Sequence, residues 1–286
     1  MQAVGGPTGG GSGVALQTET VVKDPAERGT RGIQVAAILT VPDVESKPGV
    51  QNLIRSVVCE LRIPALLELD EDRPVQFQKA IRKQYPVYKH GKNVQMSAGG
   101  VDQTVLHNFL DKRRRWTVTL KATALSLETR KYQNYEEFRQ RLEHIVAESR
   151  ETRDSDFFTR VGLRYINELP VSQADLDGWV NPELAAPLLS GVFGEVDQLW
   201  QAVRGTSRSG KFLLQHGLAS VDGNEDAPAP EKLRYVIDTD MYREDVEEDG
   251  LFDILDQLHQ DGFSLFHWAI GDKARDHIWP QEQGGQ

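Results

Sequence analysis

Between Trp116 and Leu169 a strand, a helix and a second strand follow one another, and this passage restricts the architecture more than any other part of the chain. Trp116, Val118 and Leu120 alternate along the first strand, but Leu125 and Leu127 fall on the opposite parity. That change predicts a bulge near Ala122–Ala124, because one inserted residue turns every later side chain to the other face. The helix that follows carries Tyr135, Phe138, Leu142 and Ile145 at helical spacing, with Asn134 placed to cap it and Glu137 three residues on. The closing strand alternates again. Phe157, Val161, Leu163, Tyr165 and Leu169 share one face with Thr159 and Asn167, while Phe158, Arg160, Gly162, Arg164, Ile166 and Glu168 share the other.

The same reading extends over the rest of the chain. Residues 52–170 form a first half: a strand over Ile54–Ile63 stopped by Pro64, a helix over Arg73–Gln84, short strands over Lys92–Ser97 and Thr104–Leu110 around a Gly99-Gly100 turn, then the passage above. Residues 171–279 form a second half. Here the pattern predicts a helix over Leu184–Val203 ended by Gly205, strands over Lys211–Leu218 and Leu233–Asp240, helices over Leu251–His259 and Phe263–Trp268, and a last short helix, Lys273–His277, capped by Asp272. The fold class expected is α+β, with antiparallel-rich sheets and helices packed on one face. Both halves mix strands with helices, which is compatible with two similar sub-domains, although no fixed-period repeat is visible. Residues 1–32 are Gly-, Thr- and Ser-rich and are expected to be a disordered tail; 33–51 read as a linker or peripheral strand over Ile33–Val41, limited by Pro42 and Pro48; 280–286 are expected to fray.

At 286 residues the chain can bury a core without disulfides or metals. Its single cysteine, Cys59, lies in the apolar run Val57-Val58-Cys59 and reads as a buried, inert thiol. No apolar run reaches membrane-spanning length and no signal-peptide pattern opens the chain, so a cytoplasmic protein without a membrane partner is expected. The net charge of −10 is local: Val221–Asp256 holds thirteen acidic and three basic residues, and the remainder is balanced.

Three groups of residues carry candidate chemistry. Arg160 and Arg164 lie on one strand face about 13 Å apart along the backbone, with Gly162 leaving space between them for a phosphate or carboxylate. Asn167, on the apolar parity of the same strand, is a further ligand candidate. Asp238 and Asp240 share a strand face at a spacing that can hold a divalent cation, with His259 as a third ligand. Lys112, Arg113, Arg114, Arg115 and Trp116 set a basic cluster beside an aromatic ring, the pattern of a phosphate-plus-stacking surface for nucleic acid. No nucleophile elbow, phosphate loop or metalloprotease signature is present, and no cofactor is expected.

Ordered segments also carry a family resemblance. VVCELRIPALLEL, FQKAIRKQYPVY, WTVTLKATALSLETRKYQNYEEFRQRL, VGLRYINEL, LRYVIDTDMY and LDQLHQDGFSLFHWAIGDKARD, in that order, resemble a sporadically distributed bacterial protein family of unknown function with FQxxIRxxYP, RYxN and DxD segments. The resemblance covers about residues 52–278. It implies an α+β unit, a bacterial source and cytosolic residence, and its sporadic distribution suggests a defence or mobile-element setting. It supplies no catalytic residues. The function expected is a non-catalytic binding or assembly protein with a protein partner or a second copy of itself. A metal-dependent hydrolase or nuclease using Asp238 and Asp240, and a nucleic-acid-binding protein using residues 112–116, are the alternatives.

Overall fold

The computed structural model describes residues 38–49, 51–97, 100–220 and 233–280. The expected N-terminal tail, the first part of the peripheral strand at Ile33–Val41, Gly99, the acidic loop at 221–232 and residues 281–286 of the expected frayed tail lie outside the described residues.

Among the described residues nine strands form one antiparallel sheet: β1 Ile54–Arg62, β2 Val87–Ser97, β3 Gly100–Leu110, β4 Trp116–Lys121, β5 Ala124–Thr129, β6 Phe157–Leu169, β7 Leu199–Thr206, β8 Lys211–Ser220 and β9 Leu233–Glu247. The helices are α1 Val75–Ile81, α2 Tyr135–Glu148, α3 Arg150–Arg153, α4 Pro182–Leu189, α5 Leu251–Ala269 and α6 Asp272–Ile278. The fold is α+β. Among the described residues no helix is long and apolar enough to cross a membrane.

The spatial order β2-β3-β4-β5-β1-β6-β9-β8-β7 contains a repeated plan. One pass runs β1, α1, the meander β2–β5, then α2. The other runs β6, α4, the meander β7–β9, then α5. The first strand of each pass pairs with the last strand of its own meander, and the two first strands pair with each other, Val58 opposite Arg164. An approximate twofold axis therefore passes between β1 and β6. The two halves expected from the sequence share one sheet, and the second has one strand fewer, so no fixed period survives in the sequence.

Registration separates the two faces. Trp116, Thr129, Val57, Tyr165, Thr239 and Leu214 lie opposite one another across six strands and face the helices. Thr117, Glu128, Val58, Arg164, Asp240 and Leu213 form the neighbouring row on the opposite face. The core follows the first row: Val57, Cys59 and Leu61 of β1, Val118 and Leu120 of β4, and Val161 and Leu163 of β6 are buried against Phe138, Leu142 and Ile145 of α2 and Leu255, Leu258 and Leu265 of α5. Full burial of such side chains contributes about 1.5–3 kcal/mol each.

Several expectations are corrected. The parity change at Ala122–Ala124 is a two-residue hairpin, not a bulge: Lys121 pairs with Ala124 and Leu120 with Leu125. The irregularity is in β1 instead, where the pairing to β6 slips by one residue between Ile54 and Ser56. At the start of β6 it is Phe158 that is buried and Thr159 that is exposed. There the β6–β9 ladder skips Thr159, and Asp245 across from it has a φ of 55°. The helix expected over Leu184–Val203 ends at Leu189. Its last part is strand β7, which lacks alternation because nearly all its residues are exposed. The two helices expected over Leu251–Trp268 are one. Gly262, in the interval between the two expected helices, is the point where α5 lies against Met241 of β9.

Candidate functional site

The two charged candidates on β6 and β9 meet on the sheet face away from the helices. Arg164 grips Asp238 with two bonds, Nε to Oδ1 at 2.8 Å and Nη2 to Oδ2 at 2.5 Å. Arg160 donates to Asp240 at 2.6 Å and lies 4.4 Å over the Tyr242 ring. The space above Gly162 is not a groove: the Arg160 guanidinium folds across it, where a Cβ would overlap. Hydrogen bonding to Asp238 raises the Arg164 pKa, and burial raises that of Asp240 against the opposing pull of Arg160. The anion and metal candidates thus neutralise each other as cross-strand ion pairs.

The expected metal set does not assemble. Asp238 and Asp240 do share a face, but each is held by an arginine. His259 bonds Tyr165, whose side chain faces the helices, so it lies across the sheet from both carboxylates. Among the described residues no group of three His, Cys, Asp or Glu side chains is placed to hold a metal ion.

Lys112–Arg115 form the turn between β3 and β4. Asp111 fixes it by accepting from the backbone N–H of Arg115 at 2.6 Å and of Trp116 at 3.0 Å, with Arg114 at a φ of 54°. The cluster divides there. Lys112, Arg113 and Arg114 are exposed, and Lys83, Arg141 and His144 line the same shallow depression as Lys112 and Arg113. Trp116 is only 2% exposed, packed on Phe138 with Arg141 across its ring at 4.5 Å. It has no free face on which a base could stack.

The most built site lies on the helix-covered face. A cavity of about 440 Å³ opens between β1, β6 and β9 on one side and α5, the entry to α2 and the segment 46–49 on the others. Tyr132, Tyr135, Tyr165, Phe263, Phe266 and Trp279 give it aromatic walls, and Asn167, Thr239, His259 and Ser46 supply polar atoms. The slip in β1 carries Ile54 opposite Asn167 and so to this side. Asn134 caps α2 by accepting from Glu137 N–H at 2.8 Å, which fixes Tyr132 and Tyr135 on either side of the cap.

A hydrogen-bonded row crosses the site. Ser46 Oγ is 2.9 Å from His259 Nε2, and His259 Nδ1 is 2.8 Å from the Tyr165 hydroxyl. Tyr135 stacks on the His259 ring at 3.9 Å and donates to Asp256 at 2.8 Å. Burial holds the His259 pKa down to about 4, with Asp256 pulling weakly the other way, so the ring is neutral at pH 7. Burial likewise pushes the Tyr132, Tyr135 and Tyr165 hydroxyls up. Four buried side-chain polar atoms lack a hydrogen-bond partner among the described residues; two of them, Thr239 Oγ1 and Trp279 Nε1, belong to residues lining this cavity.

The candidates therefore separate by face: Arg160, Arg164, Asp238 and Asp240 on one, Asn167 and His259 in the cavity on the other. Tyr132, Tyr165, Thr239 and Trp279 were not singled out from the sequence. The available signal was polar residues on the apolar parity of central strands, Asn167 in β6 and Thr239 in β9. Neither a protein-family model nor a curated protein matches the chain.

Proposed function

We propose that this is a non-catalytic binding protein whose ligand lies in the aromatic cavity between the central strands and α5. The observation that carries the reading is the cavity itself, of about 440 Å³, with aromatic walls from Tyr132, Tyr135, Tyr165, Phe263, Phe266 and Trp279 and the hydrogen-bonded Ser46–His259–Tyr165 row across it. The cavity volume lies within the ~300–1,000 Å³ range of small-molecule sites.

The segments that carry the family resemblance support the same reading. In Arg164-Tyr165-Ile166-Asn167 the tyrosine and asparagine line the cavity, and in Asp238-Thr239-Asp240 the central threonine does. The flanking Arg164–Asp238 and Arg160–Asp240 pairs set β6 and β9 in the register that brings Tyr165 opposite Thr239. Membership of that bacterial family, a cytoplasmic setting and a protein partner that responds to the ligand belong to this proposal.

A ligand-observed NMR screen of uncharged aromatic fragments tests it. Saturable binders are expected with the wild-type chain and are expected to vanish in Ile54→Trp, which fills the cavity from β1, while that variant keeps its far-UV dichroism. Absence of any saturable binder, or binding unchanged by Ile54→Trp, contradicts the reading. So does turnover of a bound compound that a cavity substitution abolishes.

A further inference from the structure

We infer that the edge strand β7 joins this chain to a second copy of itself, antiparallel about a twofold axis at Ala202, so that the two sheets become one. The inference is independent of the cavity and its ligand.

The edge is open. β7 ends the sheet on one side and β2 on the other. Proteins commonly guard exposed edges with lysine, which discourages pairing with another chain. β2 follows that rule with exposed Lys89 and Lys92. β7, LWQAVRGT, has no lysine. Trp200 and Val203 are 43% and 46% exposed, on opposite faces of the strand.

The backbone of β7 is set for pairing. In the hairpin to β8, Ser207 N–H donates to Gly210 O, while Thr206 O turns outward and accepts from Leu39 N–H, each at 2.8 Å. Successive residues of a strand direct their polar groups to opposite sides. Arg204, Ala202 and Trp200 therefore also direct N–H and C=O away from β8. Leu39 closes the edge at Thr206 and leaves Leu199–Gly205 free among the described residues.

The side chains select a second copy as the occupant. A strand added to an edge gains affinity from main-chain bonds and specificity from the side chains beside them. With the axis at Ala202, antiparallel pairing uses the whole free edge, and three residue pairs exchange about six backbone hydrogen bonds. Ala202 meets Ala202 at the axis, where a small side chain fits. Trp200 meets Arg204 of the second copy, twice, and each contact sets a guanidinium against an indole ring. The flanks agree in charge. Exposed Glu195 and Asp197 precede β7, and exposed Arg204 and Arg208 lie at its far end, Arg208 already held by Asp43. An antiparallel copy sets the acidic end of one strand beside the basic end of the other. An axis at Arg204 would set the two arginines against each other. Such a contact uses the same patch on both copies and closes as a dimer.

Sedimentation velocity of the full chain over a concentration series tests this. A reversible monomer–dimer equilibrium is expected. Ala202→Pro removes an outward N–H and none that bonds β8, so it is expected to leave a monomer with unchanged far-UV dichroism. Trp200→Arg sets two arginines opposite each other at both contacts and is expected to weaken the dimer about tenfold or more. Adding Arg204→Glu to Trp200→Arg turns each contact into an ion pair and is expected to restore the dimer, a result that does not depend on how Ala202→Pro folds. A wild-type chain that stays monomeric at every concentration overturns the inference. So does a dimer that neither Ala202→Pro nor Trp200→Arg weakens, which puts the contact on another surface. Failure of the double variant to restore the dimer overturns the axis at Ala202.

Discussion

Thr239 is a residue whose polar group works against stability. Its side chain is buried on the helix-facing side of β9, and its hydroxyl has no partner among the described residues. Valine has nearly the same shape and no polar atom. Thr239→Val is therefore expected to stabilise the protein by about 1 kcal/mol, read as a higher urea midpoint with an unchanged slope. A destabilised Thr239→Val variant would mean that the hydroxyl has a structural partner. The neighbouring aspartates behave differently. Asp238 and Asp240 were expected to hold a cation, and the spacing that suggested it is real. What one strand cannot reveal is that β6 presents Arg164 and Arg160 directly beside them.

At the scale of elements, the N-terminal end of α2 lines the cavity, and α3 follows α2. The Asn134 cap is expected to contribute about 1 kcal/mol, so Asn134→Ala should lower stability by that amount. It should also loosen ligand binding, because Tyr132 and Tyr135 flank the cap. Retention of full affinity in Asn134→Ala would separate the cap from the site. α3 is fastened by Arg153, whose fully buried guanidinium contacts Glu248, Ser149 and the Ser155 carbonyl and lies 4.8 Å from the Phe158 ring. Burial pushes Glu248 up, but its bonds to Arg153 and Arg150 outweigh this and hold it below the usual carboxylate range. Arg153→Leu leaves that carboxylate without its buried partner and is expected to destabilise the fold by about 3–5 kcal/mol, measured by chemical denaturation. A loss below 1 kcal/mol contradicts that assignment. The amphipathic α2 and the alternating β6 were legible in the sequence because each has one apolar face. β7 was not, since a strand exposed on both faces has no alternation to read. The hairpin at Ala122-Thr123 was misread because a chain reversal and a bulge produce the same parity change.

For the whole molecule, one sheet with helices on one side produces two surfaces of different character. The side away from the helices is laced by ion pairs, and the helix side encloses the cavity. The sheet class followed from alternation and element order. The twofold plan did not, because it lies in how β1 and β6 pair and not in any repeated residue. The cavity makes stability depend on pH in a definable direction. His259 is neutral in the fold with a pKa near 4, against about 6.5 unfolded. Between those values the unfolded chain binds the extra proton, so stability is full above about pH 6.5 and falls as pH drops towards 4, by up to about 1.4 kcal/mol per unit. His259→Asn should flatten that slope in urea titrations at pH 5 and pH 7, and an unchanged slope would assign it to other groups.

The central claim is that the cavity receives a ligand, and Trp279 in its wall reports on it directly. The chain has five tryptophans, so its nitrogen–proton correlation spectrum holds five indole signals, and Trp279→Phe identifies one of them. On titration with an aromatic fragment that binds the cavity, that signal is expected to move and saturate, as the ligand's ring lies against the Trp279 wall, while the Trp116 signal stays in place. A Trp279 signal that does not move at saturating ligand, or five signals that drift together, contradicts the account.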